Sequence, residues 1–154
     1  MSQPRYAQAI ALAARAHIDQ FRWGGQPFVT HCIRVAEAVA HLGESYAIVG
    51  VLHDVLEDCA DASVDSVGIY VAGSLVLPLR PVELDALVAL TRLDGMPYLA
   101  YIDQLLASSN GIAVAVKTAD LEDNLPGFDA LSLGYRERAE ALHLLRHARG
   151  AFMP

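Results

Sequence analysis

Among the residues able to do chemistry, the densest group is His53-Asp54-Val55-Leu56-Glu57-Asp58. It ends a stretch, about Ser45 to Asp58, that is otherwise apolar nearly all round through Ala47, Ile48, Val49, Val51, Leu52, Val55 and Leu56. That pattern predicts a central, buried helix. On such a helix Asp54 stands three residues from Glu57 and four from Asp58, so the carboxylates crowd one face. They also fall toward the helix C-terminus, where the macrodipole disfavours negative charge. Burying these groups unpaired is costly, and a bound cation removes the conflict. A solvated acidic helix end accounts for Glu57 and Asp58. It does not account for a His-Asp pair set among Val51, Leu52, Val55 and Leu56.

Further ligands must come from elsewhere in the chain. In Val116-Lys117-Thr118-Ala119-Asp120-Leu121-Glu122-Asp123-Asn124, the residues Lys117, Asp120 and Asn124 share one helix face. Alone this reads as an ordinary solvated face, and Lys117 as a partner of Asp120 or Glu122. His31, beside an apolar stripe, reads alone as a hydrogen-bonded core histidine. Both gain weight from a cluster elsewhere that lacks ligands.

The elements that must position these groups are helices. Apolar residues recur at helical spacing from Pro4 to about Asp19, with His17 read as a packed or capping residue. Trp23-Gly24-Gly25-Gln26 predicts a turn, and Pro27 opens a second helix that Gly43 closes. The helix carrying the His-Asp pair follows. Val67 to Val76 reads as helix or, from its β-branched residues, as strand; Pro78 and Pro81 then break the chain. Helical spacing returns over 82–93, 98–109 and 112–124, and a last amphipathic helix covers about Tyr135 to Arg149. With no run of alternating strands, the expected class is all-α, one helical bundle spanning residues 1–154. The apolar segment Val67 to Leu79 either packs on the bundle or offers a homodimer contact.

Composition agrees and excludes some functions. Hydrophobic residues are 54% of the chain and aromatics only 7%, which favours packed helices over a β-sandwich. Charge, His or Pro interrupts every apolar stretch, so no membrane span is expected. Two cysteines, Cys32 and Cys59, fall within predicted helices and read as free thiols of a reducing cytoplasm. A net charge of −7 repels nucleic acid and anionic membranes. A phosphorylated small molecule remains open where a metal or a few cations reverse the local field.

Taken in order, Ala16-His17, Gln20, Arg22, Pro27, His31, Val35-Ala36, Leu52-His53-Asp54-Val55, Glu57-Asp58, Val116-Lys117, Ala119-Asp120 and Asn124-Leu125 resemble the hydrolase domain of the RelA/SpoT family, within the HD superfamily. Ala89-Leu90-Thr91-Arg92 and the run from Ala119 to Asn124 are similar to its small stand-alone alarmone hydrolases. The resemblance implies an HD-type helical bundle with one divalent metal ion on His31, His53, Asp54 and Asp120. That metal is usually manganese; the donor types also suit iron or zinc. It implies that Glu57 and Asp58 position and activate the attacking water, and that Arg22 and Asn124 bind the nucleotide. The implied reaction removes the 3′-diphosphate of guanosine tetra- or pentaphosphate as pyrophosphate.

The expected site shell thus holds Arg22, Trp23, Lys117 and Asn124 around the substrate. Trp23 stands where many alarmone hydrolases carry Lys, exchanging a phosphate-binding charge for an aromatic surface. Cys32 replaces a usual Pro, and Asp19 a usual Gly. Two alternatives follow: an HD phosphohydrolase acting on another phosphorylated metabolite, or a non-catalytic alarmone-binding module.

Overall fold

A computed structural model describes residues 4–152. Among these residues eight α-helices build one core: α1 (Arg5–Ala16), α2 (Val29–Val39), α3 (Glu44–Leu52), α4 (Val55–Asp58), α5 (Pro81–Leu90), α6 (Tyr98–Ala107), α7 (Gly111–Asn124) and α8 (Leu133–Phe152). Apolar and buried from Ala47 to Leu52, α3 is the central helix and packs on α1, α2, α5 and α7. Its approach to α2 is close. A Cβ on Gly50 would stand 2.9 Å from the Cα of Ala36, so only glycine lets the two backbones meet there. Asn110 caps α7, accepting the amide of Ala113 at 3.0 Å.

The all-α expectation needs one correction. Ala62–Val64 (β1), Gly68–Val71 (β2) and Ser74–Pro78 (β3) form a three-stranded antiparallel sheet, ordered β1-β2-β3. Residues 67–76 therefore take the strand option, and the cause lies in their chemistry. Tyr70, Val71, Val76 and their β-branched neighbours fit a pleated surface. Ala72 and Gly73, with φ of 55° and 81°, make the tight reversal between β2 and β3. Opposed Ile69 and Leu77 are buried and pin the sheet to the bundle, whereas Val67 and Leu75 stay exposed. The segment thus packs through one set of side chains and leaves the other outside.

Two boundaries also differ. The second helix begins at Val29 instead of Pro27, and finishes in a 3₁₀ turn over 40–42, so that Gly43 ends it as expected. The predicted helix Ser45 to Asp58 is two helices, broken at His53-Asp54. There the His53 ring bonds the Gly50 carbonyl at 2.7 Å, the acceptor an unbroken helix would offer to residue 54. The break places Asp54 ahead of α4 instead of deep in the C-terminal turn of one long helix. No helix among the described residues is long and apolar enough to cross a membrane.

Candidate metal centre and its cavity

The four expected ligands converge from three elements. His31 comes from α2, His53 and Asp54 from the break after α3, and Asp120 from α7. One donor atom from each lies within 4.8 Å of the other three. The His31 Nε2 stands 2.9 Å from Asp120 Oδ1, and the His53 Nε2 stands 3.0 Å from Asp54 Oδ2 and 3.3 Å from Asp120 Oδ1. Both histidines and Asp120 are buried.

Hydrogen bonding behind the ligands sets their chemistry. His31 Nδ1 donates to Asp123 Oδ2 at 2.7 Å, and His53 Nδ1 donates to the Gly50 carbonyl. With each Nδ1 committed as donor, both Nε2 atoms face the cluster, as metal-ligating imidazoles do. Burial pushes His53 down, but the charges of Asp54 and Asp120 outweigh it and hold the imidazole well above its ordinary value. Burial likewise pushes Asp120 up, and the charges of Lys117 and His53 reverse this and hold it well below the usual carboxylate range. A cluster that stays anionic and draws positive charge to itself fits a divalent cation, on nitrogen and oxygen donors alike.

Asp120 is the hub. Lys117 Nζ donates to its Oδ2 at 2.8 Å, and Asn124 Nδ2 donates to its Oδ1 at 2.8 Å. Lys117 therefore takes the Asp120 pairing that its spacing allowed. Arg22 donates to Asp123 Oδ2 at 2.9 Å and to Asn124 Oδ1 at 2.8 Å, with its guanidinium 4.1 Å from the centre of the Trp23 ring. Arg34 adds a two-pronged contact to Asp123 at 2.8 and 3.1 Å. His17 is buried and bonded through Nδ1 to Gln20 at 2.7 Å, outside the ligand set.

A cavity of about 240 Å³ opens on the cluster. Asp54, Asp120, Glu57, Lys117, Asn124 and Trp23 line it; Arg22 does not, lying behind Asn124 and Trp23. A larger groove of about 650 Å³ adjoins it, sharing Glu57 and Arg92 and adding Asp58. Glu57 accepts the backbone amide of Arg92, which ties the loop after α5 to the carboxylate. Desolvation in the cleft raises Glu57; desolvation and then the charges of Asp54 and Glu57 push Asp58 up to about 6.

Several contributors escape a reading of the sequence. Asp123 is not singled out by the sequence; its i+3 spacing from Asp120 is the available signal. Tyr98, Phe128 and Arg138 line the cavity, and nothing in the amphipathic pattern of the last helix singles out Arg138.

Fold and site together set a His-Asp dyad against a second His and a distant Asp within a helical bundle, the arrangement that the HD resemblance implies. The chain's homologues are the RelA/SpoT-type proteins. The probable chloroplastic GTP diphosphokinase RSH3 of Oryza sativa subsp. japonica is 30% identical over 134 residues, 82% of this chain and 19% of that protein. The guanosine-3′,5′-bis(diphosphate) 3′-pyrophosphohydrolase of Haemophilus influenzae is 43% identical over 49 residues, 30% of this chain and 7% of that protein. The chain thus spans a fifth or less of these curated relatives. No family model matches it. The solved structure of a metazoan ortholog of SpoT that hydrolyzes ppGpp shares the fold, with a TM-score of 0.71 at 21% identity, over 99% of this chain and 95% of that one.

Proposed function

We propose that this chain is a manganese-dependent hydrolase that removes the 3′-diphosphate of guanosine tetra- or pentaphosphate, releasing pyrophosphate and GDP or GTP. One observation carries the reading: two Nε2 atoms converge with two carboxylates that line a cavity, each imidazole oriented by a bond to its Nδ1. A divalent cation on these donors supplies Lewis-acid charge for the phosphoryl oxygens and lowers the pKa of a nearby water. Relatives named for guanosine polyphosphate hydrolysis and synthesis support the substrate class.

The chain's own groups have separate tasks. Glu57, pinned through one oxygen by the Arg92 amide, lines the cavity and accepts the proton of the attacking water. Asp58, one residue on in the adjoining groove, orients that water and relays the proton. Water adds to the phosphorus bound to the ribose 3′ oxygen; the phosphorus–oxygen bond breaks, and the 3′ oxygen leaves protonated. Lys117 stays charged beside Asp120 and offsets phosphate charge. Asn124 faces the nucleotide, Arg22 holds Asn124 in place, and Trp23 offers a face to the base.

Incubation with guanosine tetraphosphate and manganese tests the reading. Pyrophosphate and GDP are expected in equal amounts. Negligible turnover, alongside release of inorganic phosphate from another phosphate ester, overturns the substrate and keeps the hydrolase.

A further inference from the structure

Tyr98, Phe128 and Arg138 also line the cavity, and the reaction above uses none of them. Tyr98, at the start of α6, is 7% exposed, and its hydroxyl has no hydrogen-bond partner. Arg138, from α8, lays its guanidinium 4.2 Å over the Tyr98 ring and 4.9 Å from the centre of Phe128. Its one hydrogen bond among the described residues is to the Gly134 carbonyl at 3.3 Å. The Arg92 guanidinium sits 5.6 Å from the Tyr98 ring on the rim shared with the groove. Neither arginine forms an ion pair among the described residues, in a chain of net charge −7, although the Arg92 charge reaches Glu57 and pulls it down. By contrast Arg5, Arg22, Arg34 and Lys117 are all paired with acidic side chains.

Such a grouping is unfavourable without a ligand. A buried phenol normally finds a partner, and leaving its hydroxyl unpaired forfeits the bond it made to water. Burial pushes the Tyr98 phenol up, so it remains a protonated donor that calls for an acceptor. Two guanidinia set on or beside its ring add charge and forked donor geometry, the combination suited to phosphate oxygens. The stack on Tyr98 and Phe128 holds Arg138 in place beforehand, lowering the cost of ordering it on binding.

We propose that Arg92, Tyr98 and Arg138 form a second anion subsite, which takes the phosphate group of the substrate remote from the one cleaved. The inference rests on the cavity being the substrate site proposed above. It assigns the preference for a nucleoside that carries a second phosphate group to Arg92, Tyr98 and Arg138, next to Lys117, whose Nζ lies 5.8 Å from the same Tyr98 ring. Lys117, tied to Asp120, serves the cleaved end, and the two arginines serve the other.

Calorimetric titration of the metal-loaded protein with GDP and with guanosine tests this apart from turnover. The wild type is expected to bind GDP at least tenfold more tightly than guanosine. Arg138→Met should erase most of that difference while leaving guanosine affinity and metal content alone. Tyr98→Phe, which keeps the ring and the stack, should weaken GDP severalfold. Absence of GDP binding, or a GDP preference that survives Arg138→Met, overturns the subsite. Parallel assays with guanosine tetraphosphate separate the two readings. An Arg138-dependent GDP preference without alarmone hydrolysis keeps the subsite and removes the reaction. Brisk hydrolysis with GDP binding indifferent to Arg138 does the reverse.

Discussion

His53 donates its Nδ1 proton to the carbonyl of Gly50, three residues back and 2.7 Å away, and the same Gly50 lets α2 lie against α3. One glycine thereby sets both the aim of His53 and the distance at which His31, carried by α2, faces it. Gly50→Ala places a Cβ 2.9 Å from the Cα and 3.2 Å from the amide nitrogen of Ala36, where only backbone can yield. Overpacking of that kind costs about 1–3 kcal/mol, so the melting temperature should fall by several degrees. Metal affinity should fall with it, since the two imidazoles move apart. A variant that binds metal as tightly as the wild type contradicts this coupling.

The ligand and base assignments are separable. His53→Ala or Asp54→Ala should abolish both metal binding and turnover, because each removes one of few donors. Glu57→Gln keeps an oxygen to accept the Arg92 amide, and so preserves the loop after α5. It should retain full metal and lose a factor of about 10²–10⁴ in rate, the usual contribution of a general base. Elemental analysis finding full occupancy in Asp54→Ala shows that Asp54 is not a ligand.

Asp123 offers a test of the support behind the ligands. It accepts from His31, Arg22 and Arg34 at once; burial pushes it up, and the bonds and charges of Arg34 and His31 outweigh this and hold it at about 2. Asp123→Asn removes the charge behind the imidazole with little change in shape. A loss of about 10–100-fold in metal affinity is expected, measured by competition with a chelator dye. An unchanged affinity makes the Asp123–His31 bond a packing contact only.

How far the sequence could be read is clearest at this centre. His53 and Asp54 were legible because a His-Asp pair inside an apolar helix conflicts with its surroundings, whereas His31 and Asp120, alone a core histidine and a solvated carboxylate, became ligand candidates through the family resemblance. Asp123 was not legible, since a carboxylate on a helix looks alike whether it faces water or a histidine on another helix. The break at His53-Asp54 contains neither Gly nor Pro; a side chain taking a backbone acceptor causes it, which no local propensity encodes. The small sheet was half legible. Its β-branched residues permitted strand, but pairing over 62–78 decides the matter through contacts that periodicity does not report. Arg138 was illegible for a related reason: its place depends on α8 folding back over α6 and α7.

Acid stability should expose a pair far from the cavity. Glu83, at 0% exposure, accepts from Arg5, the Arg80 amide and Ser45. Burial pushes its pKa up, but these bonds outweigh that and hold it below its ordinary 4.5. A folded value below the unfolded one means that the stabilisation is complete above about pH 4.5 and is lost as pH falls through the folded value. The melting-temperature gap between wild type and Glu83→Gln should therefore close between about pH 5 and pH 3. A constant gap shows that the charge of Glu83 contributes nothing. Arg5→Met, which strands the carboxylate, should cost about 2 kcal/mol at neutral pH, less than for a fully buried pair because Arg5 is partly exposed.

Trp23 carries the substrate question to a single side chain. It is 55% exposed at the mouth of the cavity, with the Arg22 guanidinium against one face. Its indole edge rests on Gly127, where an added Cβ would fall 2.1 Å from Cζ2. The ring is thus fixed by two neighbours and still accessible, the condition for stacking on a base. Such stacking contributes on the order of 1–3 kcal/mol, so Trp23→Ala should raise KM for guanosine tetraphosphate about tenfold and change kcat less. Trp23→Lys should recover part of the loss by exchanging stacking for charge. Gly127→Ala gives an independent handle, because it displaces the indole without touching it and should raise KM in the same direction. If KM is indifferent to both Trp23→Ala and Gly127→Ala, Trp23 is a packed rim residue, and the base is held elsewhere.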